Sequence, residues 1–279
     1  MLIELAIGDA YGAGFEYAPE SLIRQHNRAT HYVQHPRHRL RPGCYTDDTQ
    51  MSLAVAEALL SGSRWSPELL ARHFVEAYRR DPREGYARGF QAFLNEVQDG
   101  EDFLARIRPD SDKSGAAMRA APLGLLPTIG QVVDRCRVQA RLTHDTPDGV
   151  NAAVAAALMV HYCWYDLGPR KDLGRFLEGQ VEGPWSAPWT GKVGPKGWMS
   201  VRAAITAVAR NESLEALLID CVSFTGDVDT VASIAMAAAS CSPEYARDLP
   251  ENLLLMLENG PFGRDYIVAL DARLLAFRG

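Results

Sequence analysis

Two short acidic clusters, each of which opens an alanine-rich apolar run, constrain the fold of this chain more than any other feature. The first acidic cluster is residues 46–49 (Thr-Asp-Asp-Thr), and the second acidic cluster is residues 227–230 (Asp-Val-Asp-Thr). Such runs suit buried helices, and an unpaired charge at the mouth of a buried helix is very costly. A divalent cation is the usual compensation, and carboxylate and hydroxyl oxygens favour Mg²⁺, Mn²⁺ or Ca²⁺ over zinc. The clusters therefore predict one metal site assembled from distant parts of the chain.

Helix capping is the alternative explanation for these residues. Aspartate and threonine are common caps, and the helix dipole favours negative charge at a helix start. Capping accounts for one acidic residue per helix, but poorly for the consecutive pair Asp47 and Asp48 or the alternating pair Asp227 and Asp229. For either cluster alone, both explanations stay open.

Two other metal-dependent chemistries match the clusters only in part. The run Asp-x-Asp-Thr-Val also occurs in the loop of haloacid-dehalogenase-type phosphatases, which needs a hydrophobic β-strand immediately before it. Here residues 223–226 (Ser-Phe-Thr-Gly) precede the second acidic cluster. Isoprenoid synthases use D-D-x-x-D, and residues 47–51 (Asp-Asp-Thr-Gln-Met) lack the last acid.

Helical periodicity dominates the chain, and runs that alternate β-branched with polar residues are almost absent. The sequence therefore predicts an all-α fold: a compact, single-domain, orthogonal helical bundle over residues 1–279 with a central metal site. One helix follows the first acidic cluster, and another starts at Ser66-Pro67, where serine caps and proline suits the first turn. Further helices are predicted at 85–98, 115–125, 128–140, 147–164, 198–210, 213–222, 229–240 and 264–277.

Two long stretches break the helical pattern. Residues 26–45 are rich in His, Arg and Pro, and residues 166–197 are rich in Gly, Pro and Trp. Loops of this length inside a compact domain usually cover or line a site. The second stretch has the alternative of being a domain linker, which is disfavoured because the acidic clusters on either side of it must meet.

Composition narrows the class of partner and the compartment. The chain has 29 Lys plus Arg against 35 Asp plus Glu and a formal charge of −6, without the basic excess of a nucleic-acid binder. Its five scattered cysteines have no C-x-x-C spacing and predict neither disulfides nor a zinc site. We find no membrane span and no signal-peptide pattern, and expect a monomeric, cytoplasmic protein without a membrane or nucleic-acid partner.

One basic patch precedes the first acidic cluster. It is either a solvated loop, which we favour, or an electropositive lip for a polyanionic ligand. Its members are Arg24, Arg28, Arg37, Arg39 and Arg41.

Five motifs in a fixed order carry a family resemblance. Residues 8–16 read G-D-x-x-G-x-x-x-E, and T-D-D-T follows at 46–49. Next come G-A-A-M-R-x-x-P-x-G at 115–124, Thr-His at 143–144 and G-D-x-D-T at 226–230. Together, from about Leu5 to Ala239, these motifs resemble the ADP-ribosylglycohydrolase family.

The resemblance implies an all-α fold around a binuclear Mg²⁺ centre, with Mn²⁺ as the alternative ion. It also places a loop glutamate at Glu16, which in relatives gates the site, and we assign general acid–base catalysis to this residue. Asp47 and Asp229 are assigned to the catalytic residues because they would bind the metal ions. The metal ligands implied by the resemblance are Thr46, Asp47, Asp48, Asp227, Asp229 and Thr230.

The resemblance also suggests substrate contacts. Ser114 and Gly115 open a helix whose N-terminal amides would suit a pyrophosphate, although many relatives have Asn at the first of these positions. His144 falls where the family places a ligand-facing histidine, with a capping or core histidine as the alternative. His35 and His38 have metal-like spacing, but lie beside an oxygen-rich site and are not assigned as ligands.

Two expectations concern the surroundings of the site. Trp185, Trp189 and Trp198 either stack on adenine or, as we favour, anchor the long loop. The glycines at 12 and 14 are expected to form a loop whose backbone freedom moves Glu16 in and out, while aspartates at helix starts stay rigid.

The implied function is a hydrolase that removes ADP-ribose from a modified acceptor, most plausibly ADP-ribosylarginine on protein. The first alternative is a hydrolase of a small derivative such as O-acetyl-ADP-ribose. The second is a non-catalytic, metal-dependent ADP-ribose binder on the same scaffold.

Overall fold

The fold was analysed in a computed structural model that describes residues 1–277. These residues form helices and isolated β-bridges, with no β-strand in the described part of the chain, which confirms the all-α prediction. The α-helices are α1 (Leu2–Ala13), α2 (Glu20–His26), α3 (Asp47–Leu60), α4 (Pro67–Arg80), α5 (Arg88–Glu96), α6 (Gly100–Arg106), α7 (Gly115–Met118), α8 (Ile129–Arg141), α9 (Pro147–Trp164), α10 (Leu173–Glu178), α11 (Gly197–Arg210), α12 (Leu214–Ser223), α13 (Val228–Ala239), α14 (Glu251–Met256) and α15 (Arg264–Leu275). Two 3₁₀ helices lie at Ala121–Leu125 and Arg170–Asp172.

Several predicted helices have the expected bounds. The helix at 147–164 is confirmed as α9, and Ser66 caps α4 by accepting a hydrogen bond from the Leu69 amide at 3.3 Å. The predicted helix 115–125 instead divides into α7 and a 3₁₀ helix around Pro122, because proline has no N–H for the helical ladder.

The long stretch at 166–197 is less irregular than expected. It contains a 3₁₀ helix and α10, and its side chains Leu173, Leu177, Trp185 and Val193 are buried in the main hydrophobic core. A linker would not contribute core residues, so the stretch is part of the packed fold. The other unpredicted helices, α2, α6 and α14, have only six or seven residues, too few to show a clear helical period.

Small residues let α1 and α13 pack closely. A Cβ atom on Gly8 would lie 2.7 Å from the Ala232 carbonyl oxygen, and one on Gly12 would lie 2.4 Å from the Asp229 Cα. Neither space admits a side chain, so this helix pair depends on glycine in α1. The close packing places the end of α1 directly against the second acidic cluster.

None of the helices in the described residues is long and apolar enough to cross a membrane.

Candidate metal centre and active site

The first acidic cluster lies at the start of α3, but the cap of that helix comes from α1. The Asp9 carboxylate accepts hydrogen bonds from the backbone amides of Thr46 and Thr49, both at 2.9 Å. It also accepts from the hydroxyls of the same two threonines at 2.7 and 2.5 Å. Because Asp9 satisfies these donors, Asp47 and Asp48 are free for another role, which argues against the capping explanation. Asp9 belongs to the first motif, but no local signal in the sequence indicates that it caps α3.

The second acidic cluster is positioned by the segment 191–197. The amide of Asp227 donates to the Val193 carbonyl at 3.2 Å, and the Val193 amide donates to the Thr225 carbonyl at 2.9 Å. Gly226, which lies between Thr225 and Asp227, has φ +92°, and a Cβ atom on it would overlap the Val193 carbonyl oxygen. Glycine is therefore required where the chain turns into α13.

The fold brings the two acidic clusters together. Ser233, one turn into α13, donates its hydroxyl to Oδ1 of Asp48 at 2.7 Å. Asp47, Asp48, Asp227 and Asp229 line the same cavity, of about 740 Å³. The meeting of the clusters that the sequence required is therefore present in the structure.

Burial and mutual repulsion dominate the electrostatics of this cavity. Desolvation is the main cause that raises the pKa values of Asp47, Asp48 and Asp229, and neighbouring carboxylates add to it. The same effects raise the pKa of Asp227 to about 6, opposed by hydrogen bonds that include one from Ser200 at 3.1 Å. Within residues 1–277, no lysine, arginine or histidine forms an ion pair with these four aspartates.

These carboxylates fit a hard divalent cation. Oδ1 of Asp229 is buried and has no hydrogen-bond partner in the described chain. Buried polar atoms are normally paired, so this oxygen suits the role of a metal ligand. The Thr46 hydroxyl donates its hydrogen to Asp9, so its oxygen lone pairs remain available to a cation. The buried Thr230 also lines the cavity. Carboxylate and hydroxyl oxygens together form a donor set suited to Mg²⁺ or Mn²⁺.

Glu16 lies in the turn after α1, beside the second acidic cluster. Oxygen atoms of Glu16, Asp227 and Asp229 all lie within 4.8 Å of one another, so the three could share an ion. The turn is held by a hydrogen bond from the Tyr17 amide to the Gly226 carbonyl at 2.8 Å. The Glu16 side chain is 20% exposed and lines the cavity together with Asp227 and Asp229.

The two glycines before Glu16 serve packing, and the prediction that they form a loop is wrong, while movement of Glu16 stays a prediction. Gly12 belongs to α1, and Gly14 has an ordinary φ of −62°. A Cβ on Gly14 would lie 2.6 Å from the Val33 carbonyl oxygen, in the segment 27–46. Both glycines are therefore needed for close approach of backbone, which holds the Glu16 turn in place.

The predicted substrate contacts line the same cavity. Ser114 and Gly115 line the cavity, but α7 has only four residues, so its helix dipole contributes little to anion binding. A Cβ on Gly115 would lie 3.1 Å from Cε1 of His144, so glycine keeps this wall open to the histidine. Pyrophosphate binding here would depend on individual N–H groups.

His144 lines the cavity as a neutral imidazole. The fully buried Arg119 donates to the Thr143 hydroxyl at 2.8 Å, and this hydroxyl is 2.7 Å from Nδ1 of His144. The Thr143 hydroxyl can accept from Arg119 and give its own hydrogen to Nδ1, an arrangement in which the ring proton of His144 is on Nε2. Burial, and then the charge of Arg119, lowers the pKa of His144 to about 3. The capping and core alternatives do not explain its place in the cavity lining.

The remaining candidates are sorted by their contacts. Within the described chain the three tryptophans do not line the cavity; Trp189 and Trp198 pack edge to face at 5.7 Å, as loop anchors would. In the basic patch, Arg24 pairs with Glu20 on the exposed face of α2, as a solvated residue would. Arg37 instead stacks on Tyr17, which lines the cavity, with 4.8 Å from Cζ to the ring centroid.

Comparisons with known proteins give a family match over nearly the whole chain. A sequence-family model described as ADP-ribosylglycohydrolase matches residues 1–278. The ADP-ribosylhydrolase ARH3 of Xenopus tropicalis is 31% identical over 147 residues, which cover 50% of this chain and 42% of that protein. The matched region thus spans less than half the length of this curated relative.

Two further matches cover most of the chain. The ADP-ribosyl-[dinitrogen reductase] glycohydrolase of Rhodospirillum rubrum is 26% identical over 271 residues, covering 91% of this chain and 87% of that one. A solved structure of an ADP-ribosylglycohydrolase-related protein complex aligns with a TM-score of 0.72 at 24% identity, covering 99% and 95% of the two chains. The latter likeness supports the fold.

Proposed function

Because this chain belongs to the ADP-ribosylglycohydrolase family, we propose that it is a hydrolase that cleaves the glycosidic bond between ADP-ribose and a modified acceptor. The observation that carries the proposal is the meeting of three buried aspartates and the half-buried Asp47, unpaired by any cationic side chain of residues 1–277, with Glu16 at the wall of one cavity. An arrangement of this kind is costly without a cation and serves no packing purpose.

The cofactor in this proposal is a pair of Mg²⁺ ions, with Mn²⁺ as a substitute. When bound, such ions supply Lewis-acid chemistry, orienting ribose hydroxyls and acidifying water. The donor atoms described above support the assignment, in particular the partnerless oxygen of Asp229. The residues that would hold the ions are Thr46, Asp47, Asp48, Asp227, Asp229 and Thr230.

The remaining steps fall to protein side chains. In the proposed mechanism the Glu16 carboxylate takes a proton from the attacking water or passes one to the leaving group. His144 donates a hydrogen bond from Nε2 to the ADP-ribose moiety, and Ser114 and Gly115 contact its pyrophosphate. Asp47 and Asp229 belong to the catalytic set as residues that would hold the ions.

We further propose that the acceptor is an arginine side chain of a protein. The R. rubrum relative, by its name, acts on an ADP-ribosylated protein. A second relative, the ADP-ribosylarginine hydrolase Tri1 of Serratia proteamaculans, is 25% identical over 170 residues, covering 58% of this chain and 45% of that one, and its name specifies arginine as the acceptor.

Release of ADP-ribose from arginine-linked, serine-linked and O-acetyl substrates, measured side by side with Mg²⁺, tests this proposal. We expect the arginine-linked protein to be turned over fastest. Preference for O-acetyl-ADP-ribose would move the assignment to a small-molecule hydrolase. Tight binding of ADP-ribose without release from any substrate would overturn the enzymatic proposal in favour of a binder.

We also propose that residues 1–279 form one domain and that the protein is a cytoplasmic monomer that does not bind nucleic acid. One continuous hydrophobic core, with members from Met1 to Leu274, supports the single domain, and the formal charge of −6 argues against nucleic acid. Light scattering after size exclusion would test the monomer, and a mass of two chains would contradict it.

A further inference from the structure

His35 is a buried histidine in contact with the proposed catalytic glutamate. Its side chain is 3% exposed, and its Nε2 lies 2.8 Å from Oε2 of Glu16. We propose that His35 is a positioning residue, which donates a hydrogen bond to Glu16 and holds its carboxylate in the orientation that the reaction uses. This inference depends on the proposed function only for its kinetic consequences.

Backbone donors determine the tautomer of His35. The amides of Arg37 and His38 both point at its Nδ1, each at 3.0 Å. Because a backbone N–H can only donate, Nδ1 must accept and carries no proton. The ring proton of the neutral imidazole is therefore on Nε2, where Glu16 is the acceptor.

The same contacts argue against a metal site at these histidines. Ligand atoms of Glu16, His35 and His38 lie within 4.8 Å of one another, a spacing that would suit a metal ion. Coordination through Nε2 of His35 would move its proton to Nδ1, where it would face two N–H donors. His38 is also directed elsewhere, because its Nδ1 lies 3.3 Å from Oε2 of Glu84. A hydrogen bond from Nε2 to Glu16 gives both ring nitrogens of His35 a partner, since Nδ1 already accepts from two amides.

The hydrogen bond completes the restraint of the Glu16 turn. Backbone contacts hold this turn on two sides, through the close approach of Gly14 to Val33 and the hydrogen bond from Tyr17 to Gly226. These contacts fix the main chain but leave the side-chain torsions of Glu16 free. With Oε2 held by His35, Oε1 is the oxygen left for water or the leaving group. Precise placement of a catalytic group depends on supporting contacts of this kind.

Two substitutions separate the positioning role from a structural one. In His35→Asn the side-chain oxygen can replace Nδ1 as acceptor for the two amides, but nothing reaches Glu16. In His35→Gln the longer amide can still donate to Glu16. If His35 positions Glu16, His35→Asn lowers kcat by about 10- to 100-fold with KM within about two-fold, the usual scale for outer supporting groups. His35→Gln should recover most of that loss.

The result that overturns the proposal is equally specific. Equal kcat losses in His35→Asn and His35→Gln, or no loss in either, would show that the contact with Glu16 has no catalytic effect. In a Glu16→Gln background, His35→Asn should add little further loss, because the carboxylate that it positions is already absent. Additive losses would contradict the proposed path through Glu16.

A spectroscopic measurement separates this inference from the proposed function. Nitrogen-15 NMR of the wild-type protein with Mg²⁺ reports which ring nitrogen of His35 carries the proton. We expect protonated Nε2 and acceptor Nδ1, with a shift of the Nε2 signal in Glu16→Ala. A proton on Nδ1, or an unchanged signal in Glu16→Ala, refutes the hydrogen bond whether or not the protein is active. An intact hydrogen bond in a protein without glycohydrolase activity would refute the proposed function alone.

Discussion

The Asp9 carboxylate on α1 accepts the Thr49 backbone amide at 2.9 Å, so the first helix of the chain caps the third. This contact fixes the start of α3 without using the aspartates of the first acidic cluster. The cap and the proposed metal ligands are thus supplied by different helices, which is why a consecutive acidic pair can stand at this helix start.

Replacement of Asp9 tests this relationship. Asp9→Ala leaves the amides of Thr46 and Thr49 without their acceptor, and buried unsatisfied donors cost about 1–3 kcal/mol each. We therefore expect a clear loss of unfolding free energy in urea and weaker Mg²⁺ binding by calorimetry. Asp99→Ala, which removes the cap of the peripheral helix α6, is the control and should leave Mg²⁺ affinity unchanged. Unchanged Mg²⁺ affinity in Asp9→Ala would separate the cap from the metal centre.

The shared metal centre predicts non-additive kinetics. Asp47→Ala and Asp229→Ala should each abolish turnover, and the double variant should be no worse, because either change already disrupts the assembled centre. EDTA should inactivate the wild-type protein, and Mg²⁺ or Mn²⁺ should restore it. Full activity in EDTA would contradict a metal-dependent mechanism.

Glu16 and Asp47 should separate catalysis from binding. Glu16→Gln should reduce turnover by about 10²-fold or more, the scale of general acid–base catalysis, with Mg²⁺ and ADP-ribose affinities within about a few-fold. Asp47→Asn should instead weaken metal and ligand binding together. Turnover and equilibrium binding measured on the same preparations decide between the two roles. Near-normal turnover in Glu16→Gln would require withdrawal of its catalytic assignment.

The raised pKa values of the metal-centre aspartates predict a metal-dependent pH profile. In the native state the pKa values of these aspartates lie above about 3.9, the value of an unfolded aspartate. The native state therefore binds more protons than the unfolded state, and stability falls as the pH rises from the unfolded pKa through the native pKa values. For Asp227 the loss is complete above a pKa of about 6. In EDTA the melting temperature should therefore fall relative to the Mg²⁺-saturated protein as pH increases from about 4 to 7. Parallel profiles in EDTA and Mg²⁺ would contradict this electrostatic account.

Gly85 offers a steric test beside the first acidic cluster. Its φ is +113°, and a Cβ there would lie 2.3 Å from Oδ1 of Asp47. Gly85→Ala should therefore strain the backbone, displace the Asp47 carboxylate and weaken Mg²⁺ binding. Gly89→Ala is the matched control, because Gly89 also lines the cavity but has no atom within 4 Å of its added Cβ. Equal Mg²⁺ affinities in the two variants would show that Asp47 tolerates the displacement.

The all-α fold and the identity of the acidic clusters followed from the sequence alone. Helical periodicity is a local property, so α9 and the start of α4 could be located from spacing, serine and proline. The need of Asp47, Asp48, Asp227 and Asp229 for a cation also follows from their composition and apolar surroundings, because charge burial is costly wherever the chain places it.

Tertiary structure decided the contacts between residues that are distant in sequence. No local pattern relates Asp9 to the amide of Thr49, Arg119 to the hydroxyl of Thr143, or His35 to Glu16. The glycines at 12 and 14 likewise gave a misleading local signal, because their function depends on the backbone that packs against them. Local propensity selects helices, whereas the partner of each buried polar atom is selected by which helices meet.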